Sequence, residues 1–339
     1  MMSNNELPLD AVSDFLRNNF TGLQGDLSVS RTAGGFSNPT YFVKVGDWQA
    51  VLRKQPASVS VKSAHAIDRE FRVMSALHGS GVPVPEPMLY HADKDVLDTP
   101  FYIMEKIDGR VFDEYELPGV VGSRRGYYRA MCEAMAAMHK FDWQGAGLTD
   151  YGKPGNYFVR QFHGWSRQWE KFDVDENPFI DQMISWLADN IPDSELLSIC
   201  HGDFRVPNVM FHPQSTEVVG ILDWELSTLG HPLADVAFNT QAYHMAPDEN
   251  GGLLGLDLSA LGIPEESEYL DWYYELSGCE ERVTTFHRVF AMFRAAVGSA
   301  GIAARGIAGN AFTSDATKTG NRLAQAYAKR GIDILMKEA

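Results

Sequence analysis

Apolar residues recur at helical spacing through LDAVSDFLRNNF (residues 9–20), which predicts a leading helix. The pattern then changes. LSVSRTAGGFSNPTYFVKVGDWQAVLRK (27–54) alternates apolar and polar residues and is broken by Gly and Asn, so it predicts three strands joined by turns, the first turn glycine-rich. SAHAIDREFRVMSALHGSG (63–81) returns to helical spacing and ends on glycine, a helix stop. Two short strands are expected near MLYHA and FYIMEKI, and DGRVF reads as a hinge after the second. Residues 1–106 are thus expected to form a small, mostly β lobe with one important helix, and 107–339 a larger lobe.

From Gly109 the spacing is helical. RGYYRAMCEAMAAMHKF (125–141) is strongly amphipathic, and FVRQFHGWSRQWEKF and DQMISWLADNI follow it. A β-like island spans about 208–223. HPLADVAFNTQAYHM, EYLDWYYELSG, RVTTFHRVFAMFRAAVGSAGIAARG and TGNRLAQAYAKRGIDILMKEA are further helix candidates. The expected fold class is therefore α+β in two lobes.

Composition narrows the function. A chain of 339 residues is long for one core and comfortable for two lobes. Its 45% apolar and 22% charged residues are ordinary for a globular protein. A net charge of −16 repels nucleic acid and anionic membranes, so neither is an expected partner. The three cysteines, Cys132, Cys200 and Cys279, form no CxxC pair, which fits a reducing cytosol rather than a disulfide or zinc framework. No apolar run reaches the ~20 residues needed to span a bilayer. MMSNNELPLD lacks the basic and apolar regions of a signal peptide. The expectation is a soluble, cytoplasmic protein.

The chemistry concentrates in HGDFRVPN (201–208) and ILDWE (221–225). A carboxylate accepts a proton from a hydroxyl nucleophile. An Asn oxygen and a second carboxylate are hard ligands suited to Mg²⁺. Phosphoryl transfer from a nucleotide needs this set, with Asp203 as base or orienting group and Asn208 and Asp223 as magnesium ligands. His201 is expected to brace the loop rather than move protons.

H-x-D-x-x-x-x-N followed by a strand and Asp resembles the catalytic loop and metal-binding aspartate of protein-kinase-like folds. HGDFRVPNVMF, ILDWE and GHPLADVA together resemble the aminoglycoside phosphotransferase and choline kinase superfamily. The resemblance implies a protein-kinase-like fold with a small β-rich N-terminal nucleotide lobe and a mainly helical C-terminal lobe for catalysis and substrate. It implies ATP (or GTP) and Mg²⁺. The backbone of Gly34, Gly35, Phe36 and Ser37 would cover the phosphates, though the glycine pair alone fits an ordinary hairpin turn equally well. Aligning AVLR to the kinase pattern V-A-I-K puts Arg53 at the phosphate-binding cation and turns Lys54 to solvent. Strand alternation alone leaves the choice between them open. Glu70 resembles the helix glutamate that pairs with that cation, and Glu105 C=O and Ile107 N–H are the candidate contacts to adenine. Asp235 would stabilise the catalytic loop.

The wording HGDFRVPNVMFHP…ILDWELSTLGHPLADVA, with the C-terminal FRAAVGSAGIAARGIAGNA, is closer to one branch than to antibiotic kinases and resembles the kinase-like domains associated with acyl-CoA dehydrogenases. That branch implies a small-molecule hydroxyl acceptor, with a hydroxyacyl-CoA among the options, and a functional link to an acyl-CoA dehydrogenase. Arg160, Arg167, Arg294 and Arg305 are candidate cations for such an acceptor. An aminoglycoside- or choline-type kinase is the alternative, the latter needing an aromatic cage from the rings near 165–169 or 272–274. A catalytically silent binding module is the alternative from another class. Against it, a scaffold has no chemical need for Asp203, Asn208 and Asp223 together. A hydrolase built on His201 and Asp203 lacks a G-x-S-x-G elbow or an HExxH helix.

Overall fold

The computed structural model of the chain describes residues 7–32, 38–56, 67–172, 174, 176–308 and 315–338. They divide into two compact units: those within Met1–Asp108 together with Asp223–Glu225, and those within Gly109–Leu222 and Leu226–Ala339.

The first unit opens with α1 (Leu9–Asn19), followed by β1 (Leu27–Arg31), β2 (Thr40–Val45), β3 (Trp48–Lys54), α2 (Ile67–Leu77), β4 (Pro87–His91) and β5 (Phe101–Glu105). The strands form one antiparallel sheet in the order β1-β2-β3-β5-β4. Alternation on β2 sends Tyr41, Val43 and Val45 inward, and α1 covers that face with Val12 and Leu16. Helix α2 buries Glu70, Val73, Met74 and Leu77, a helical stripe with one charged member. A carboxylate in an otherwise apolar stripe needs partners, and that requirement draws polar side chains to Glu70.

The second unit is mainly helical. It contains α3 (Arg125–His139), α4 (Tyr157–Trp169), α5 (Pro178–Asp189), α6 (Pro232–Thr240), α7 (Pro247–Asn250), α8 (Leu258–Leu261), α9 (Glu266–Ser277), α10 (Thr285–Ile307) and α11 (Ala316–Glu338). Asn156 and Asn177 cap α4 and α5, each side-chain oxygen accepting a first-turn N–H at 3.2 Å. Residues of α4, α5, α10 and α11 share one core around Phe158, Met183, Phe290 and Phe293. Gly320 lets α10 and α11 approach closely, since a Cβ there would lie 2.5 Å from Ala303 N.

Two small ribbons interrupt the helices. Strand β6 (Ser198–Cys200) pairs with β9 (Thr228–Gly230), and β7 (Val209–Phe211) pairs with β8 (Val218–Ile221). The island expected at 208–223 is the second ribbon. The first was not predicted, because three-residue strands are too short to show a period. Among the described residues, no helix is long and apolar enough to cross a membrane.

Candidate functional site

In the first unit, a buried ionic cluster forms around Arg53 near the end of β3. Its Nη2 lies 2.6 Å from Asp223 Oδ1, and its Nε lies 2.8 Å from Glu70 Oε2 without aiming its N–H at that oxygen. Among the described residues, Nη1 reaches only Thr40 Oγ1, at 3.4 Å. Burial opposes the guanidinium charge, but Glu70, Tyr102, Asp223 and Glu225 outweigh it and hold the pKa up. Lys54 leaves the opposite face of the strand, where Nζ donates to Leu97 O at 3.2 Å. It is half-buried rather than turned to solvent as expected, because the carbonyl covers its ammonium, and burial lowers its pKa against the pull of Asp98.

Glu70 is held on both oxygens. Asn38 Nδ2 donates to Oε1 at 2.5 Å, and Tyr102 Oη donates to Oε2 at 3.0 Å. Burial nevertheless dominates and raises its pKa, with Arg53 pulling the other way. Tyr102 stands directly across the β3–β5 ladder from Arg53. Asp223 has φ +66, a left-handed backbone uncommon for a non-glycine residue, and its side chain is 37% exposed. The next residue, Trp224, is buried. Gly34, Gly35, Phe36 and Ser37 lie outside the described residues. Glu105 ends β5, and the N–H of Ile107 makes no hydrogen bond among the described residues.

In the second unit, β6 delivers His201 to a loop ending in the 3₁₀ turn Val206–Asn208. Gly202 takes φ +83, and a Cβ there would meet Leu226 O at 2.5 Å, so glycine is required. Asp235 on α6 accepts both N–H groups at the bend, His201 N at 2.6 Å and Gly202 N at 2.9 Å. Burial would raise the Asp235 pKa, but His139, whose Nε2 is 3.5 Å away, and the other donors bring it below the usual value. Arg294 donates to Gly202 O. The ring of His201 accepts Asp203 N–H on Nδ1 at 3.2 Å and meets Leu222 O through Nε2 at 2.8 Å, so both nitrogens serve the loop.

Asp203 and Asn208 come together here. Asn208 Nδ2 donates to Asp203 O and to Asp203 Oδ2, each at 2.8 Å, and Arg205 Nε adds a third bond, to Oδ2 at 3.2 Å. Oδ2 is therefore fixed. Oδ1 of Asp203 and Oδ1 of Asn208 accept no hydrogen bond among the described residues.

Several expected acceptor contacts are already committed. Arg294 is buried against Gly202, Trp165 and Phe238, and Arg160 bonds the carbonyls of Pro154 and Gly155. Arg167 and Arg305 are exposed. The Trp272 face carries Arg125 and Arg129, and Tyr274 carries Arg282, which leaves no aromatic cage there. Sequence reasoning missed Asn38, Tyr102 and Arg205. Arg205 stands inside the quoted motif, and Asn38 directly follows the glycine-rich run. Tyr102 gave no signal until the register put it opposite Arg53.

A family model described as "Phosphotransferase enzyme family" matches residues 28–265. Acyl-CoA dehydrogenase family member 10 of Mus musculus is 37% identical over 338 residues, 98% of this chain but 31% of that protein. The chain thus spans about a third of that relative's length. A solved structure from Ralstonia eutropha, described provisionally as an aminoglycoside phosphotransferase, is 39% identical. It superposes with a TM-score of 0.86 over 98% of this chain and 99% of that one. The GDP complex of aminoglycoside 2'-phosphotransferase-IIIa shares the fold at 15% identity, with a TM-score of 0.65 over 95% and 99% of the two chains.

Proposed function

Because the chain belongs to the phosphotransferase enzyme family, with an α+β protein-kinase-like fold, we propose that it is a Mg²⁺-dependent kinase of a small-molecule hydroxyl. It takes the terminal phosphoryl group of ATP or GTP, and the acceptor we favour is a hydroxyacyl-CoA, for which the relatives' names supply only the acyl-CoA part. The observation that carries this reading is the state of Asp203: one carboxylate oxygen pinned by Asn208 and Arg205, the other open.

A carboxylate fixed through one oxygen presents the second at a set angle, which is how a hydroxyl nucleophile is oriented. Asp203 Oδ1 accepts the acceptor hydroxyl. As the oxygen–phosphorus bond forms and the bond to the departing nucleoside diphosphate breaks, the hydroxyl proton passes to Asp203. No covalent phosphoenzyme is needed. Arg53, held by Glu70 and Asp223, keeps Nη1 for a phosphate oxygen. Each unit keeps a hard donor that would serve Mg²⁺: Asn208 Oδ1 in the second, and in the first the oxygen of Asp223 not bound to Arg53. When bound, the ion neutralises phosphate charge.

The test is thermal unfolding with ATP or GTP, each with and without Mg²⁺. Ligand at a hundred times its Kd stabilises by about 2.7 kcal/mol. A Mg²⁺-dependent rise in Tm is expected. No rise with either nucleotide at millimolar concentration would instead favour a silent binding module.

A further inference from the structure

Resting on the assignment of Asp203 as the group that orients the acceptor, we propose that Arg205 reads the acceptor, binding a carbonyl or carboxylate oxygen beside the reacting hydroxyl. Its guanidinium touches the catalytic carboxylate only through Nε, at 3.2 Å. Both Nη groups are without a hydrogen-bond partner among the described residues, and the side chain is 38% exposed. A guanidinium whose sole role was to orient Asp203 would be expected to spend its other donors on protein carbonyls, as Arg110, Arg124 and Arg322 do in the same unit. Arg205 keeps a two-nitrogen fork open, the shape that matches a carboxylate or thioester oxygen.

The surroundings point the same way. The Tyr115 hydroxyl is buried with the Val206 N–H facing its oxygen, and no acceptor among the described residues takes its own proton, an expensive state unless a ligand supplies one. Tyr327 accepts from Asn250 Nδ2 at 2.5 Å, and no acceptor among the described residues takes its own proton. Both phenols lie within electrostatic reach of Arg205 and Asp203. Glu249, the other carboxylate that acts on Tyr327, is neutralised by Arg330 at 2.9 Å. Apart from Asp203, the neighbourhood therefore offers donors and positive charge. That composition favours an oxygen acceptor group and penalises a cationic amino alcohol or aminoglycoside.

The experiment measures nucleoside diphosphate release by wild type, Arg205→Gln and Arg205→Lys. The acceptors are hydroxyacyl-CoA thioesters of varied hydroxyl position, with the matching hydroxy acids, diols and amino alcohols. Wild type is expected to prefer acids and thioesters. Arg205→Gln should raise KM for them about ten- to a hundredfold relative to the matching diol, the loss of one charge-assisted contact, and Arg205→Lys should recover part of that selectivity. Equilibrium binding of the preferred acceptor to wild type and Arg205→Gln gives a readout independent of turnover, and the same weakening is expected. An equal loss on every acceptor, or no loss, overturns the role of Arg205 and leaves the kinase reading intact. No transfer by wild type to any acceptor overturns both.

Discussion

Glu70 and Asp235 are both buried carboxylates, yet the protein treats them in opposite ways. In the first unit, Glu70 is held by three side chains, Asn38, Tyr102 and Arg53, and burial still raises its pKa. In the second, Asp235 accepts two backbone N–H groups and faces His139, and its pKa falls. Backbone donors at a fixed bend are preorganised for the charge, so Asp235 braces the loop that presents Asp203. Side-chain donors are separate and adjustable, so Glu70 keeps a charge that costs stability and serves to position Arg53. One cluster is built for rigidity, and the other holds the arginine that we propose meets the nucleotide.

Breaking the rigid cluster should have the largest effect. Asp235→Ala leaves two buried N–H groups and His139 without their partner and should cost about 3–5 kcal/mol in urea unfolding. Gly202→Ala forces a Cβ into Leu226 O at a left-handed position and should cost about 1–3 kcal/mol by the same measurement.

The ligand cluster should respond in the other currency. Glu70→Gln should unfold at the same temperature as wild type or higher, while KM for ATP rises about ten- to a hundredfold as Arg53 loses its ionic partner. Tyr102→Phe removes one hydrogen bond to Glu70 and should cost about 1 kcal/mol, with a smaller rise in KM.

Titration sharpens the contrast. A depressed carboxylate pKa contributes stability that is present above the unfolded value, near 4, and is lost as pH falls through the folded one. The stability gap between wild type and Asp235→Asn should therefore close below about pH 4. Glu70, with its raised pKa, behaves in the reverse sense. Its favourable contribution is present below the unfolded value and lost as pH rises through the folded one. Any advantage of Glu70→Gln should accordingly grow with pH from about 4 upward, in pH-dependent urea unfolding of the two variants beside wild type.

These two clusters also show what a sequence discloses. The strands of the first unit were legible because alternation on β2 and helical spacing on α2 are periodic signals spread over several residues. Asp203, Asn208 and Asp223 could be offered as candidates from sequence because local motifs carry them. Tyr102 and Asn38 were not, because their roles depend on distances to Glu70, 32 positions away in either direction. Arg205 was overlooked for another reason. As a motif residue flanked by stronger signals, it draws notice only through its two Nη groups, which have no partner among the described residues. Lys54 was misread because alternation gives the face of a strand and not what covers that face, here the carbonyl of Leu97.

The most direct measurement is phosphoryl transfer by Asp203→Asn beside wild type, with Mg²⁺–nucleotide affinity measured on the same preparations. Asn keeps the shape and removes the proton acceptor. Transfer to the best acceptor should fall by about 10²–10⁴, the usual worth of a general base, while nucleotide affinity stays near the wild-type value. Full turnover by Asp203→Asn would contradict the account, because the open oxygen of Asp203 would then have no part in the chemistry.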